Sequence, residues 1–421
     1  MQKTPDANRP HIAVFGRRNA GKSSLINALT NQQLAVVSSV PGTTTDPVYK
    51  SMELLPLGPV RMIDTAGIDD TGELGEMRIN KTREVIRRTD LAILVIDPEF
   101  GVEKYERDLY QELKEKKTAV IFTINKADRF TKEYQQKLLK EIKNEFAEDI
   151  VIVSAREERG IEELRDLISQ NVPEDFEKKQ IIGDLIEPGD TLVLVTPIDS
   201  AAPKGRLILP QVQTIRDIID HNGMALVTKP GELEQSLAGL RKKPKMVVTD
   251  SQVFNQVDAL VPRDVLLTGF SVLFARYKGD LEIFLKGIRK MEKLKSGDKV
   301  LIAEACTHRR QEEDIGTVKL PKWLKSKVNS NLKFDHVSGR EYPENLQEYD
   351  LVLHCGGCML NPREVLSRLA EAQKAGVEVV NYGMAIAWLH GILDRALKPF
   401  SDIYELWVQN KMENGGENIA R

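Results

Sequence analysis

Cysteine is scarce: three in 421 residues, with none in the first 305. An odd, low count excludes the disulfide framework that staples small secreted domains. Charge of one sign is also missing. Lys and Arg number 60 and Asp and Glu 63, a net charge of −3, so a globally basic nucleic-acid binder is not expected. No run approaches the roughly 18 uninterrupted apolar residues of a membrane span. The polar segment Met1–Pro10 lacks the apolar core of a secretory signal. These absences argue against a secreted or membrane protein and make the cytoplasm the expected location. There is no internal repeat and no low-complexity tract. What is present is ordinary for a globular chain: 41% apolar and 29% charged residues over a length that fits two to four domains.

Short apolar runs alternate with helical patterns. His11–Gly16, Val60–Ile63, Leu91–Ile96, Ala119–Ile124 and Ile150–Val153 read as strands, with helices at Ser24–Thr30, Tyr105–Lys116, Tyr134–Ala147 and Ile161–Asn171. Such alternation predicts an α/β fold with a mostly parallel sheet covered on both faces. Pro173 and Glu174–Lys179 read as a linker. A small second α/β unit follows, with strands at Leu192–Thr196, Met224–Thr228 and Met246–Thr249. A third carries strands at Lys299–Ala305, Leu351–His354 and Val377–Asn381 and helices at Leu281–Lys293, Arg363–Ala375 and Ala385–Ala396. The expected organisation is three consecutive α/β domains, residues 1–173, 174–262 and 263–421.

Gly16-Arg-Arg-Asn-Ala-Gly21-Lys22-Ser23 fits G-x-x-x-x-G-K-[ST] between a strand and a helix, the context that motif requires. Its backbone N–H groups and the helix N-terminus suit phosphates. Lys22 would bridge the β- and γ-phosphates and Ser23 would hold magnesium. Asp64-Thr-Ala-Gly67 ends the next strand; Asp64 can bind magnesium through water and the Gly67 N–H can sense the γ-phosphate. In Asn125-Lys126-Ala-Asp128, a carboxylate can accept both guanine N1–H and the N2 amine, a donor pair adenine lacks, so the nucleotide is GTP. Ser154-Ala155-Arg156 resembles the Ser-Ala-Lys base loop, with Arg156 a departure. Gly42-Thr-Thr-Thr-Asp46 supplies a threonine for magnesium. Ile68 stands where Ras-like enzymes keep a water-orienting glutamine, so intrinsic hydrolysis should be slow; Glu73 or Glu76 could position the water.

These motifs in order resemble a translation-factor-class GTPase, nearest the Era/TrmE-like group through Asn19-Ala20-Gly21-Lys22-Ser23, followed by Ser24, and Pro41-Gly-Thr-Thr44. That resemblance implies Thr44 as the magnesium ligand and Asn19 as the position that holds an activating potassium ion. Lys22, Thr44 and Gly67 are then the residues that act on hydrolysis.

The three cysteines fall in one pattern: Cys306-Thr-His308, 45 intervening residues, then His354-Cys355-Gly-Gly-Cys358. Cys306 and Cys355 each lie just past a predicted strand, where loops of an α/β sheet meet. Gly356 and Gly357 allow the loop to wrap a metal. Spacing alone leaves open a structural zinc site, an iron–sulfur cluster with one weak ligand, a metal-free redox pair, or buried cysteines.

A GTPase domain, a small middle domain and this Cys-x-His…His-Cys-x-x-Cys domain together resemble the FeFe-hydrogenase maturation GTPases, the HydF family, over essentially the whole chain. The resemblance implies a 4Fe-4S cluster on Cys306, Cys355 and Cys358, with His308 and His354 as possible ligands or as donors to them. It implies a homodimer through the middle domain. It further implies a scaffold that receives a di-iron precursor from radical-SAM maturases and delivers it to apo FeFe-hydrogenase, the GTPase acting as a switch. Arg309 and Arg310 join the histidines as candidates to line a cargo pocket. The alternative is an Era-like RNA- or ribosome-associated GTPase with a structural zinc module. Its support is the basic stretches Arg241–Lys245 and Lys319–Lys327, the latter placing Trp323 where it could stack on a base. Near-neutral net charge speaks against it.

Overall fold

The computed structural model describes residues 6–30, 47–55, 57–65, 73–173, 179–197, 207–305, 314–339, 342–343 and 345–414. The chain divides into two compact units, Met1–Lys178 and Lys179–Arg421.

The first unit is built on a six-stranded sheet in the order β2-β3-β1-β4-β5-β6. The strands are β1 (His11–Gly16), β2 (Val48–Leu54), β3 (Gly58–Asp64), β4 (Leu91–Ile96), β5 (Ala119–Ile124) and β6 (Asp149–Ile152). Every pairing is parallel except β2 with β3. β1 and β4 are buried along their whole length, as strands covered on both faces must be. Two apolar layers flank the sheet. Ile12, Val14, Leu25 and Ile93 fill one; Phe15, Leu94, Leu113 and Phe122 fill the other. β2 mixes polar and apolar residues on the sheet edge and has no long apolar run.

The second unit holds two fully parallel four-stranded sheets, β10-β9-β7-β8 and β12-β11-β13-β14. The first comprises β7 (Thr191–Val195), β8 (Met224–Thr228), β9 (Met246–Thr249) and β10 (Leu266–Gly269). The other comprises β11 (Lys299–Glu304), β12 (Lys333–Ser338), β13 (Leu351–His354) and β14 (Glu378–Asn381). One continuous apolar core runs through both, from Ile182 and Val193 through Phe270 and Phe284 to Leu353 and Trp407. Polar pins cross it as well. Thr268 donates to the Ala396 carbonyl at 2.8 Å, and Arg395 pairs with Asp258 at 2.6 Å while donating to the carbonyls of Val261 and Pro262. The helix expected over 385–396 is two, Tyr382–Leu389 and Leu393–Leu397, divided by a turn at Gly391. No helix among the described residues is long and apolar enough to cross a membrane.

Strand order locates the crevices. In the first sheet the chain leaves β1 toward β3 on one side and β4 on the other. In the last sheet β12 and β13 flank β11 in the same way. Ligands of open α/β sheets bind at such reversals, beyond the carboxyl ends of the strands. The phosphate loop follows β1, and the cysteine motif follows β11 and β13.

Candidate functional site

The P-loop leaves β1 at Gly16 and enters helix Lys22–Thr30. Gly16 sits at φ 145°, and a Cβ there would meet the Val95 carbonyl oxygen at 2.5 Å. Gly21 sits at φ 91°, and a Cβ there would meet Asn125 Nδ2 at 2.3 Å. Both positions therefore require glycine. Asn19 adopts φ 60°, a left-handed conformation that Asn tolerates better than most residues. Lys22 Nζ donates to the carbonyls of Gly16 at 2.8 Å and Arg17 at 2.7 Å, which keeps the ammonium inside the loop.

Ser23 Oγ donates to Asp64 Oδ2 at 2.6 Å. The two groups expected to serve magnesium, from the first and third motifs, are thus adjacent. Burial pushes the Asp64 carboxyl up, opposed by the Ser23 hydrogen bond and the charges of Lys22 and Lys50. A divalent cation would reverse that balance. Thr44, Gly67 and Ile68 lie outside the described residues, and Glu73 and Glu76 fall in helix Glu73–Arg88.

Asn125 works as a brace. Its Nδ2 donates to the Ala20 carbonyl at 2.9 Å, and its Oδ1 accepts the Ala155 N–H at 3.1 Å. One buried amide therefore joins the phosphate loop, the base motif and the Ser-Ala-Arg loop. Lys126, at φ 58°, pairs with the buried Asp97 at 2.5 Å, which fixes the left-handed turn before Asp128. Asp128 accepts the Ser154 hydroxyl at 2.7 Å, and that bond holds its carboxyl below the usual range. Asn125, Lys126 and Asp128 border a cavity of about 740 Å³ that also touches Asn19, Ser24 and Arg156. Its size suits a nucleotide. Sequence reasoning missed Asp97 and the Arg17 clamp, in which Arg17 pairs with Glu103 and Glu106 at 2.7 Å each. An Asp-Pro pair directly after β4 was the available signal for Asp97.

In the second unit β13 ends at His354. The Cys355 N–H donates to the Ala303 carbonyl at 3.0 Å. Cys355 Sγ accepts the Ala305 N–H at 3.1 Å and the Gly357 N–H at 3.4 Å. Ala305 directly precedes Cys306 in the chain. Burial pushes the Cys355 thiol up, and the two backbone donors oppose it. His354 is 1% exposed, and burial takes its imidazole down to about 3, so the ring is neutral. Nδ1 then donates to the Cys355 carbonyl at 2.7 Å. Nε2 keeps its lone pair and has no hydrogen-bond partner among the described residues. Cys306, His308, Arg309 and Arg310 lie outside the described residues. Among the described residues no group of three or more His, Cys, Asp and Glu is gathered as for a metal ion.

Two buried cations sit close by, and no motif announced either. Lys278, 1% exposed, donates to the carbonyls of Gly357, Cys358 and Leu360 at 2.9, 3.1 and 2.8 Å. Burial takes it down to about 8, against the pull of Cys358 and Cys355. Arg368, 1% exposed, lies 5.3 Å over the Tyr342 ring and donates to the Gly339 carbonyl at 3.2 Å. Its charge bears on both His354 and Cys355. By contrast, Trp323 is partly buried against the core and stacks edge-on with His390, ring centroids 5.0 Å apart.

Three segments of the chain match known protein families. Residues 11–126 match a 50S ribosome-binding GTPase domain, 181–279 a hydrogen maturase F dimerization domain, and 282–399 a hydrogen maturase F tetramerization domain. The tRNA modification GTPase MnmE of Heliobacterium modesticaldum is 36% identical over 160 residues, 38% of this chain and 33% of that one. GTPase Der of Nitratiruptor is 32% identical over 174 residues, 40% of this chain and 37% of that one. The chain thus spans about a third of the length of these curated relatives. Era of Aquifex aeolicus, solved with GDP and AlF4−, aligns at 20% identity and a TM-score of 0.37, over 57% of this chain and 91% of that one. The two maturase domains behind a GTPase domain place the chain in the hydrogen maturase F family, with an Era/TrmE-like GTPase domain.

Proposed function

We propose that the protein is a GTP-hydrolysing scaffold that holds a 4Fe-4S cluster on Cys306, Cys355 and Cys358. In this reading it accepts a di-iron precursor from radical-SAM maturases and passes it to apo FeFe-hydrogenase. The observation that carries the cluster is the Cys355 sulfur. It accepts two backbone N–H groups, one from the residue before Cys306 and one from inside the Cys-x-x-Cys loop. N–H donors of this kind stabilise a thiolate and tune a cluster bound through it. The neighbourhood fits an anionic metal group: a neutral buried imidazole with an unused Nε2 and two buried cations surround the loop. When bound, such a cluster supplies an electron reservoir and an iron whose fourth ligand can be exchanged. His354 and His308 stand beside the cysteines in the motif and are the side chains through which cargo would be met.

In the GTPase unit, Lys22 and the loop amides would hold the phosphates. Ser23, Thr44 and Asp64 would serve magnesium, Gly67 would sense the γ-phosphate, and Asn19 would face a potassium ion. Asp128 would read guanine, with Ser154 and Ala155 forming the base loop. Nucleotide state would act as a switch on partner binding.

The dimerization segment supports a homodimer. β8 is an edge strand with Met224 54% and Val227 40% exposed, and Ile219 on the preceding helix is 56% exposed. An apolar edge of this kind is a template for a second copy.

Anaerobic reconstitution with iron and sulfide, beside Cys355→Ser, tests the cluster. Roughly four irons per chain and a reduced-cluster EPR signal, both lost in the variant, are expected. Tight zinc without iron uptake would remove the cluster and with it the scaffold role, leaving a GTPase with a structural zinc module.

A further inference from the structure

We propose that Lys278 is the positioning residue of the Cys355–Cys358 loop and the buried counter-charge for the metal group that loop carries. The inference rests on the cluster reading above and assigns a residue outside the cysteine motif to it. Lys278 is the last residue of helix Phe270–Lys278, which belongs to the dimerization segment, whereas the loop belongs to the tetramerization segment. Its ammonium crosses between them and meets three loop carbonyls, those of Gly357, Cys358 and Leu360, within 3.1 Å. Three bonds from one donor fix the direction of the chain on both sides of Cys358. Gly357, at φ 58°, makes the turn that brings these carbonyls together.

The charge itself needs an account. A lysine 1% exposed is rare unless it is paired. Among the described residues no carboxylate comes within ion-pair distance of Lys278; it bonds to neutral carbonyls, and the negative groups acting on it are Cys358, Cys355 and, more weakly, the buried Glu364. Burying such a cation is costly unless a negative group shares the site. An iron–sulfur cluster on three thiolates is anionic, and reduction adds a further negative charge. Arg368 adds a second buried cation on the His354 side of the same loop. One buried carboxylate, Glu364, serves both cations, pairing with Arg368 at 3.6 Å, and an anionic cluster would balance the second positive charge. Reduction should be favoured by the nearby positive charge.

The test uses full-length protein reconstituted anaerobically with iron and sulfide, comparing wild type with Lys278→Met and Lys278→Gln. Methionine keeps the length of the side chain without donors or charge. Glutamine keeps a donor without charge. Iron content and the reduction midpoint are read, with thermal unfolding as the check on folding. Lys278→Met should retain less iron through a chelator wash. Both variants should be harder to reduce, by about tenfold in the reduction equilibrium, a downward shift of about 59 mV for one electron. If Lys278→Met does not fold, the midpoint of Lys278→Gln decides. Wild-type iron retention and midpoint in the variants would overturn the proposal while leaving the cluster standing. Failure of the wild type to take up iron would instead sink the cluster reading itself.

Discussion

His11 opens β1 with its imidazole 6% exposed, Nε2 at 3.1 Å from the Asp6 carbonyl and Nδ1 without a hydrogen-bond partner among the described residues. Burial takes it down to about 4. An unfolded imidazole titrates near 6.5. Above that pH neither state binds the proton, so the full stability is present. Between about 6.5 and 4 the unfolded chain binds it first, and stability falls by roughly 3 kcal/mol. Thermal unfolding of wild type and His11→Gln from pH 7 to 4 should therefore converge as the pH drops, and parallel curves would refute the assignment. Legibility at single residues followed motif membership. Lys22, Ser23, Asp64 and Asp128 were readable because phosphate, magnesium and guanine chemistry each demand a residue type at a fixed spacing. Lys278 and Arg368 were not. Each is one basic residue in a helical pattern, and the carbonyls Lys278 serves lie 79 to 82 positions downstream.

Strands buried on both faces were legible because they are uninterrupted apolar runs: β1, β4, β5 and β13 fall where expected. The missed strands β2, β10 and β12 are all edge strands: β2 and β12 mix polar residues with few buried positions, and β10 is buried but only four residues long. A one-sided pattern of that kind is weak in sequence and depends on its neighbour for definition. The same physics gives β8 its exposed apolar side chains, and a prediction belongs there. A Met224→Lys, Val227→Lys double substitution should weaken self-association by about tenfold or more, read as a shift toward monomer in sedimentation, since charge on an edge strand blocks pairing. An unchanged dimer would move the interface elsewhere. GTP turnover should be unaffected, because its residues belong to the other unit.

Separate cores in the two units make their chemistries separable by mutation. Lys22→Ala should reduce GTP hydrolysis about a hundredfold or more. It should leave the iron content after reconstitution equal to wild type. Parallel loss of iron would show that nucleotide chemistry is needed to build the cluster site. Strand order makes both sites readable in hindsight: each sits where the chain reverses direction across its sheet, a feature of topology that no local stretch of sequence displays.

The single core beneath the second and third sheets has an evolutionary corollary. The GTPase segment recurs in proteins such as MnmE and Der, where it accounts for about a third of their length, so it has travelled as a module. The two maturase segments lack that freedom. A chain divided near residue 280 would strand Lys278 on one fragment and its three carbonyls on the other, and would open Phe270 and Phe284 to water. Recombination can therefore exchange what lies before the linker, whereas the dimerization and tetramerization segments are inherited as one piece and must change together.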